Sequence, residues 1–263
     1  MPALNFLWIV LGLAAVTAAA LAYGWFEAGW LRTRVLELPV DGLPAALDGL
    51  RVAHLSDFHF GPVSRGTVAG LRAAEWVRSR LPDLVVVTGD LLSRPRGRAT
   101  LDEALAGLDA FVVLGNHDVA VTRDPFSRDA ELDGLPATLL VDDSRTIELR
   151  GTLVQVAGTA PRASGPVPQP DAAAAFRILL SHYPRLRTDG YQLVLAGHMH
   201  AGQIVLPYPG GKVRFAHLRA PMPEGVFRAG GVTLHVSPGL GTTFVPFRFF
   251  ARPEATELVL RSG

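Results

Sequence analysis

Five short apolar runs along this chain each lead into a polar motif: RVAHLS before Asp57, LVVVT before Gly89, FVVL before Gly115, FRILLS before His182 and LVLA before Gly197. Runs this short and this apolar predict buried strands. Polar residues just past the ends of parallel strands all open onto one edge of a sheet. After the first run, Val68, Leu71, Ala74 and Val77 recur at helical spacing between Val63 and Arg80, and Pro82 stops the pattern. A second helix is predicted around Leu101 to Leu108, feeding FVVL. From about Ala137 the texture changes to TLLV, TIELR and TLVQVAG, which predicts a second, more antiparallel sheet. The segment Ala160 to Pro170 is rich in Pro, Gly and Ser and reads as a surface loop.

The N-terminal pattern is different in kind. From Asn5 to Phe26 the chain carries no charge and is dominated by Leu, Ala, Val, Ile and aromatics. That matches the ~20 residues needed to cross a bilayer core. Trp25 and Trp30 stand where interfacial aromatics are expected. A cleaved signal peptide is the alternative, with Ala18-Ala19-Ala20 as a small-residue site. Against it, no Lys or Arg precedes the stretch, which is longer than an ordinary signal core. The expected organisation is an anchor over 1–31, a connection with a leading strand over 32–50, and a catalytic domain over 51–263. Arg32 and Arg34 follow the span, so the positive-inside rule favours a cytoplasmic domain.

Composition adds mainly exclusions. With 263 residues the chain suffices for one sizeable α/β domain. A net charge of +1 without a basic block gives no case for nucleic acid. The absence of cysteine removes disulfides, thiolate ligands and a thiol nucleophile. Oligomeric state is not legible.

The motifs themselves are Asp57-Phe58-His59, Gly89-Asp90, Gly115-Asn116-His117-Asp118, His182 and Gly197-His198-Met199-His200. Carboxylate, imidazole and amide in this mixture suit a pair of divalent cations. Asp57 and His59 lie two apart and can aim at one ion. Asp90 is the natural bridge, since its two oxygens can each take one cation. Asn116 offers a neutral oxygen, and His182, His198 and His200 complete two coordination shells. Such a pair lowers the pKa of a bridging water and clamps a phosphoryl group. Each motif alone is weak; in order, each after a strand, they are specific. His54, His217 and His235 have no partner motif and read as packing or surface.

This series resembles the calcineurin-like metallophosphoesterase superfamily from Arg51 to the C-terminus. The resemblance implies a four-layer α/β/β/α sandwich of two mixed sheets. It implies Asp57, His59 and His200 on one metal, Asn116, His182 and His198 on the other, and Asp90 across both. His117 would contact the phosphate or protonate the leaving group, with Asp118 holding its ring. Mn²⁺, Fe or Zn²⁺ would fit, with Mn²⁺ favoured. Narrower phrases, HLSDFHFG, TGDLL, GHMHAGQI and SPGLGTTFVPFRFFARPE, resemble membrane-anchored bacterial members that include enzymes similar to those cleaving UDP-2,3-diacylglucosamine. That branch usually carries His-Gly-Gly-Gln where this chain has His200-Ala201-Gly202-Gln203.

The expected function is therefore metal-dependent hydrolysis of a phosphodiester or pyrophosphate, in a lipid-linked or nucleotide-containing substrate at the membrane. A secreted broad phosphomonoesterase and a non-catalytic scaffold are the competing readings. The aromatic stretch Phe244 to Phe250 reads either as closure of the core or as an apolar lip for acyl chains with Arg248 meeting a phosphate.

Overall fold

A computed structural model describes residues 2–120, 129–130, 132–162, 166–186, 190–218 and 220–263, with side chains from residue 5 onward. Part of the loop expected over Ala160 to Pro170 (163–165) lies outside the described residues. The chain runs α1 (Pro2–Glu27), β1 (Arg32–Val40), β2 (Arg51–Leu55), α2 (Gly66–Arg80), β3 (Leu84–Thr88), α3 (Arg98–Leu105), β4 (Phe111–Val113) and β5 (Thr138–Leu139). It continues through β6 (Asp143–Leu149), β7 (Thr152–Gly158), β8 (Phe176–Ser181), β9 (Leu193–Ala196), β10 (Val205–Tyr208), β11 (Gly211–Arg214), β12 (Gly225–Ala229), β13 (Val232–Val236) and β14 (Glu254–Ser262).

Two mixed six-stranded sheets result, ordered β1-β14-β2-β3-β4-β5 and β12-β13-β9-β8-β7-β6. They pack face to face through Val52, Val86, Val113 and Leu258 on one side and Val154, Ile178, Leu180 and Leu195 on the other. Each central strand reads as a continuous apolar run because both of its faces are covered. α2 and α3 lie on the outer face of the first sheet, burying Ala73, Ala74, Val77, Leu101 and Leu105 against Leu55, Val85, Val87 and Val112. α2 stops where expected: Leu81 takes a left-handed cap at φ 48°, and its amide bonds the Val77 carbonyl.

The second sheet corrects one expectation. Its inner strands β13, β9, β8 and β7 are parallel, and only its edges β12 and β6 run antiparallel. TLLV does not belong to it either; Thr138–Leu139 pairs parallel with β4 in the first sheet. A two-residue strand carries too little pattern to show which sheet it joins. Among the described residues, the outer face of the second sheet is covered by Val167, Leu186, Met199 and Met222 from connecting segments.

Segment 32–50 is more than a connection, because β1 forms the edge of the first sheet beside β14. β14 in turn lies between β1 and β2, and it is fastened at Glu257. That carboxylate is 1% exposed and takes paired guanidinium bonds from Arg51 (3.0 and 2.8 Å) and Arg80 (3.0 and 2.9 Å). The Arg80 bonds, aided by Arg51 and opposed by burial, hold its pKa at about 2 against an ordinary 4.5. A carboxyl depressed on folding contributes stability above its unfolded pKa and loses it as pH falls toward the folded one. Glu257→Gln is expected to cost about 1–2 kcal/mol at pH 7, discounted because both arginines are partly exposed. The deficit should shrink between pH 4.5 and about 2. Denaturant unfolding at pH 7 and pH 3 measures it.

α1 stands apart from both sheets over most of its length. Asn5–Glu27 has the length and composition of a membrane span, and its most apolar stretch is unburied. Only its foot is docked: buried Glu27 accepts the amides of Phe250 (3.0 Å) and Ala251 (2.7 Å), and the Gly24 carbonyl accepts the Arg248 amide (3.0 Å).

Candidate metal centre

The five motifs leave the carboxyl ends of β2, β3, β4, β8 and β9, all on one edge of the sandwich. Backbone pairing continues past the strand ends: the Asp57 amide bonds Gly89 O (2.9 Å), His59 bonds Asp90 O (2.9 Å), and Gly197 bonds His182 O (3.1 Å). This holds the motif loops side by side. Asp57, His59, Asp90, His198 and His200 all adopt positive φ, between 48° and 73°. That conformation costs non-glycine residues on the order of 1 kcal/mol each and concentrates at functional sites. Ala201 shares it at φ 53°, so its methyl is accommodated in a left-handed turn. Its buried side chain packs with Val205 and Ala251, which offsets that cost. Glycine is required at Gly115, where a Cβ would stand 2.6 Å from Asp90 Cγ.

The structure brings the seven expected ligand residues together in two groups. Potential ligand atoms of Asp57, His59, Asp90 and His200 lie within 4.8 Å of one another, as do those of Asp90, His182 and His198. Asp90 is common to both. Asn116 joins the second group, its Oδ1 lying 3.1 Å from His182 Nε2. His59 Nε2 and His200 Nε2 face each other at 3.1 Å, and His198 Nδ1 faces His182 Nε2 at 3.1 Å.

The donor set fits cations. His182 Nδ1 donates to the Thr88 carbonyl at 2.8 Å, which turns a bare Nε2 toward Asn116 and Asp90 in the neutral ring. With the carboxylate of Asp90 and the Asn116 oxygen beside it, this cluster suits a positive charge among its atoms. Protonation shows the same demand. Burial opposes a charged His182, yet the adjacent Asp90 carboxylate raises its pKa to about 9. Burial likewise works against Asp90, but His182 and His59 hold it well below the usual carboxylate range. Burial, followed by His182, drives His198 down to about 2, so its ring is neutral and able to ligate.

Other polar side chains pack around the centre. The Asp118 carboxylate accepts the amides of Leu91 (2.9 Å), Leu92 (3.0 Å) and Gly115 (2.8 Å). It thereby ties the Asp90 turn to the Gly115 turn, and burial raises its pKa to about 6. Arg248 is fully buried, bonded to the carbonyls of Gly241 (2.9 Å), Pro238 (3.1 Å) and Ala251 (2.8 Å), with Nη2 3.3 Å from His200 Nδ1. It braces the site from behind and does not face the solvent side where a phosphate would enter. His54 and His235 bond each other at 2.8 Å inside the sandwich.

Sequence reasoning passed over three neighbours of the centre. Ser93 Oγ is 2.8 Å from His59 Nδ1, the Tyr183 ring packs 4.4 Å from His198, and the His217 ring lies 4.9 Å from it. The first two follow TGDLL and His182 directly, so adjacency was an available signal; His217 had none. His117 stands at the mouth, its amide bonded to Asp90 Oδ1 at 2.9 Å and its ring 4.9 Å from His59 and 6.1 Å from Phe244. Beside it opens a cavity of about 430 Å³ lined by Val63, Arg94, Phe244 and Val245. A wider cavity of about 530 Å³, near Leu81 and Phe111 at the opposite edge, contains none of these groups.

Comparison with known proteins agrees with this geometry. Residues 50–202 match the family model described as calcineurin-like phosphoesterase. The chain is 30% identical to a zebrafish (Danio rerio) protein named transmembrane protein with metallophosphoesterase domain, over 94% of this chain and 62% of the relative. It is 29% identical to the uncharacterized metallophosphoesterase YkuE of Bacillus subtilis, over 84% and 82%. It is 25% identical to phosphodiesterase YaeI of Escherichia coli, over 90% and 89%. The chain thus spans less than two thirds of the zebrafish relative and most of the two bacterial ones. With its buried Asp/His clusters inside the matched region, the chain belongs to the calcineurin-like phosphoesterases, hydrolases that act on phosphate esters.

Proposed function

We propose that the protein hydrolyses a phosphodiester or pyrophosphate bond in a lipid-linked or nucleotide-containing substrate at the membrane, with the domain on the cytoplasmic side. One observation carries the reading: two Asp/His groups share Asp90, and the His117 bonded to Asp90 through its amide lines an adjoining cavity together with Arg94. Asp57, His59, Asp90 and His200 would hold one cation, and Asp90, Asn116, His182 and His198 the other. Two such cations, Mn²⁺ by preference, supply Lewis-acid polarisation of the phosphoryl oxygens and a water acidic enough to attack near neutral pH.

The protein's own side chains do the rest. The Thr88 carbonyl fixes the His182 tautomer, and Ser93 fixes the His59 ring. His117, at the mouth, would give a proton to the departing oxygen. Arg94, exposed on the cavity wall, offers a guanidinium to a second phosphate, as a nucleotide or pyrophosphate would require. Val63, Phe244 and Val245 supply the apolar wall suited to an acyl-bearing substrate. The positive-inside reading of Arg32 and Arg34 supports the cytoplasmic side. The name of the Escherichia coli relative supports diester chemistry. The narrower likeness to enzymes cleaving UDP-2,3-diacylglucosamine rests on the sequence phrases and places such a nucleotide-linked glycolipid first among substrates to try.

The test is hydrolysis of bis-p-nitrophenyl phosphate by the Mn²⁺-loaded full chain beside His117→Ala. A fall in kcat of about 10²–10⁴-fold at equal metal content is expected for loss of a general acid. A folded, metal-loaded wild type that turns over neither this diester nor a nucleotide-linked pyrophosphate would refute the proposal.

A further inference from the structure

The foot of α1 is part of a larger apolar surface. Tyr23 packs on Phe249 and Phe250 (ring centroids 6.1 and 5.8 Å), and Trp25 packs on Phe247 (6.5 Å). Phe249 then pairs with the start of the β10–β11 hairpin: its amide bonds Gln203 O and its carbonyl accepts the Val205 amide, both at 2.9 Å. The helix foot, the tail loop 244–250 and the hairpin are therefore contiguous. Along this path Phe244 is 72% exposed, Leu206 55%, Tyr208 54% and Phe250 54%. Leu206 stands opposite Val213 in the hairpin register, so both project from the same face, and Val213 is exposed as well.

Such a patch is costly in water. A two-stranded hairpin is marginal by itself, and contiguous exposed apolar surface marks an interface. Cations stand at the helix foot, Arg252 stacked over Trp30 at 3.9 Å and Arg65 over Phe26 at 5.7 Å, while Lys212 and Arg214, on the other face of the hairpin, both face Glu224. Aromatic and aliphatic side chains bordered by arginine are what the headgroup layer of a bilayer accepts.

We propose that the domain beds into the lipid bilayer around the foot of α1, with the β10–β11 hairpin and the tail loop as its seat. The occupant is lipid because the patch continues outward from the end of a membrane-spanning helix. A second protein copy would have to reach it through the headgroup layer. The cavity beside His117 borders this seat through Phe244 and Val245. The seat is independent of the reaction, and its failure would leave the phosphoesterase reading intact.

The chain has no cysteine, which permits single labels in the full-length protein. Leu206→Cys, Tyr208→Cys and Phe244→Cys would each carry a bimane, with Leu81→Cys as reference at the opposite edge. Each chain would be placed in phosphatidylcholine/phosphatidylglycerol nanodiscs, and a wild-type melting temperature would show that it is folded. Shallow nitroxide lipid should quench the three labels several-fold more than the Leu81 position, and aqueous iodide should quench them less. Lipid and iodide quenching equal to that at Leu81 would overturn the proposal. Iodide protection without lipid quenching, appearing only with two chains per disc, would overturn it in favour of a second copy.

Discussion

Asp90→Ala is expected to lower phosphodiester turnover by on the order of 10³-fold or more. It is also expected to take bound metal well below two per chain. Asp90 is the one side chain common to both ligand groups, so its loss weakens both cation sites at once. It also accepts the His117 amide at 2.9 Å, which ties the mouth of the site to its floor. Asp57 belongs to only one group. Asp57→Ala should therefore release one cation preferentially, and elemental analysis of the two variants side by side separates the bridge from an ordinary ligand. Equal metal loss in both would mean that Asp90 is not shared.

Arg248→Ala is expected to destabilise the fold by about 3–5 kcal/mol, because it leaves three buried carbonyls unpaired at about 1–3 kcal/mol each. The guanidinium is fully buried, and burial lowers its pKa to about 10, so it remains charged at neutral pH. Removing it strands the carbonyls of Pro238, Gly241 and Ala251. It also withdraws the group packed behind His200. A melting temperature lower by roughly 10 °C should follow for a domain of this size. A phosphate-binding arginine would behave in the opposite way, with KM raised and the melt unchanged. A thermal melt and a KM measurement on the same preparation decide between the two.

Arg248 also shows where the sequence stops being legible. Its neighbours FVPF and FF form an apolar stretch with one cation, readable as closure of the core or as a lip over the site. The outcome is divided residue by residue: Phe244 is exposed beside His117, while Arg248 turns inward to backbone carbonyls. Those carbonyls belong to turns whose positions depend on long-range packing. The same reason hides the insertion of β14 between β1 and β2, which joins segments some two hundred positions apart. It also hides the place of β5 in the first sheet.

The strands β2, β3, β4, β8 and β9 were legible because burial on both faces writes itself as unbroken apolar runs. The ligand motifs were legible because each follows such a run and so must sit at the same sheet edge. Their left-handed backbone was not, since Asp57, His59, Asp90 and His198 carry no glycine-like signal of their own. The contacts of Asp118 were equally hidden: its position after His117 pointed to a ring partner, whereas three backbone amides converge on it once the turns are folded together.

The central claim is a two-cation centre bridged by Asp90, and Mn²⁺ titration of the full chain followed by electron paramagnetic resonance tests it most directly. The account predicts two Mn²⁺ per chain with the spin-coupled spectrum of a close pair, replaced in Asp90→Ala by isolated, weakly held ions. A folded wild-type chain that binds one uncoupled Mn²⁺, or none, would contradict it.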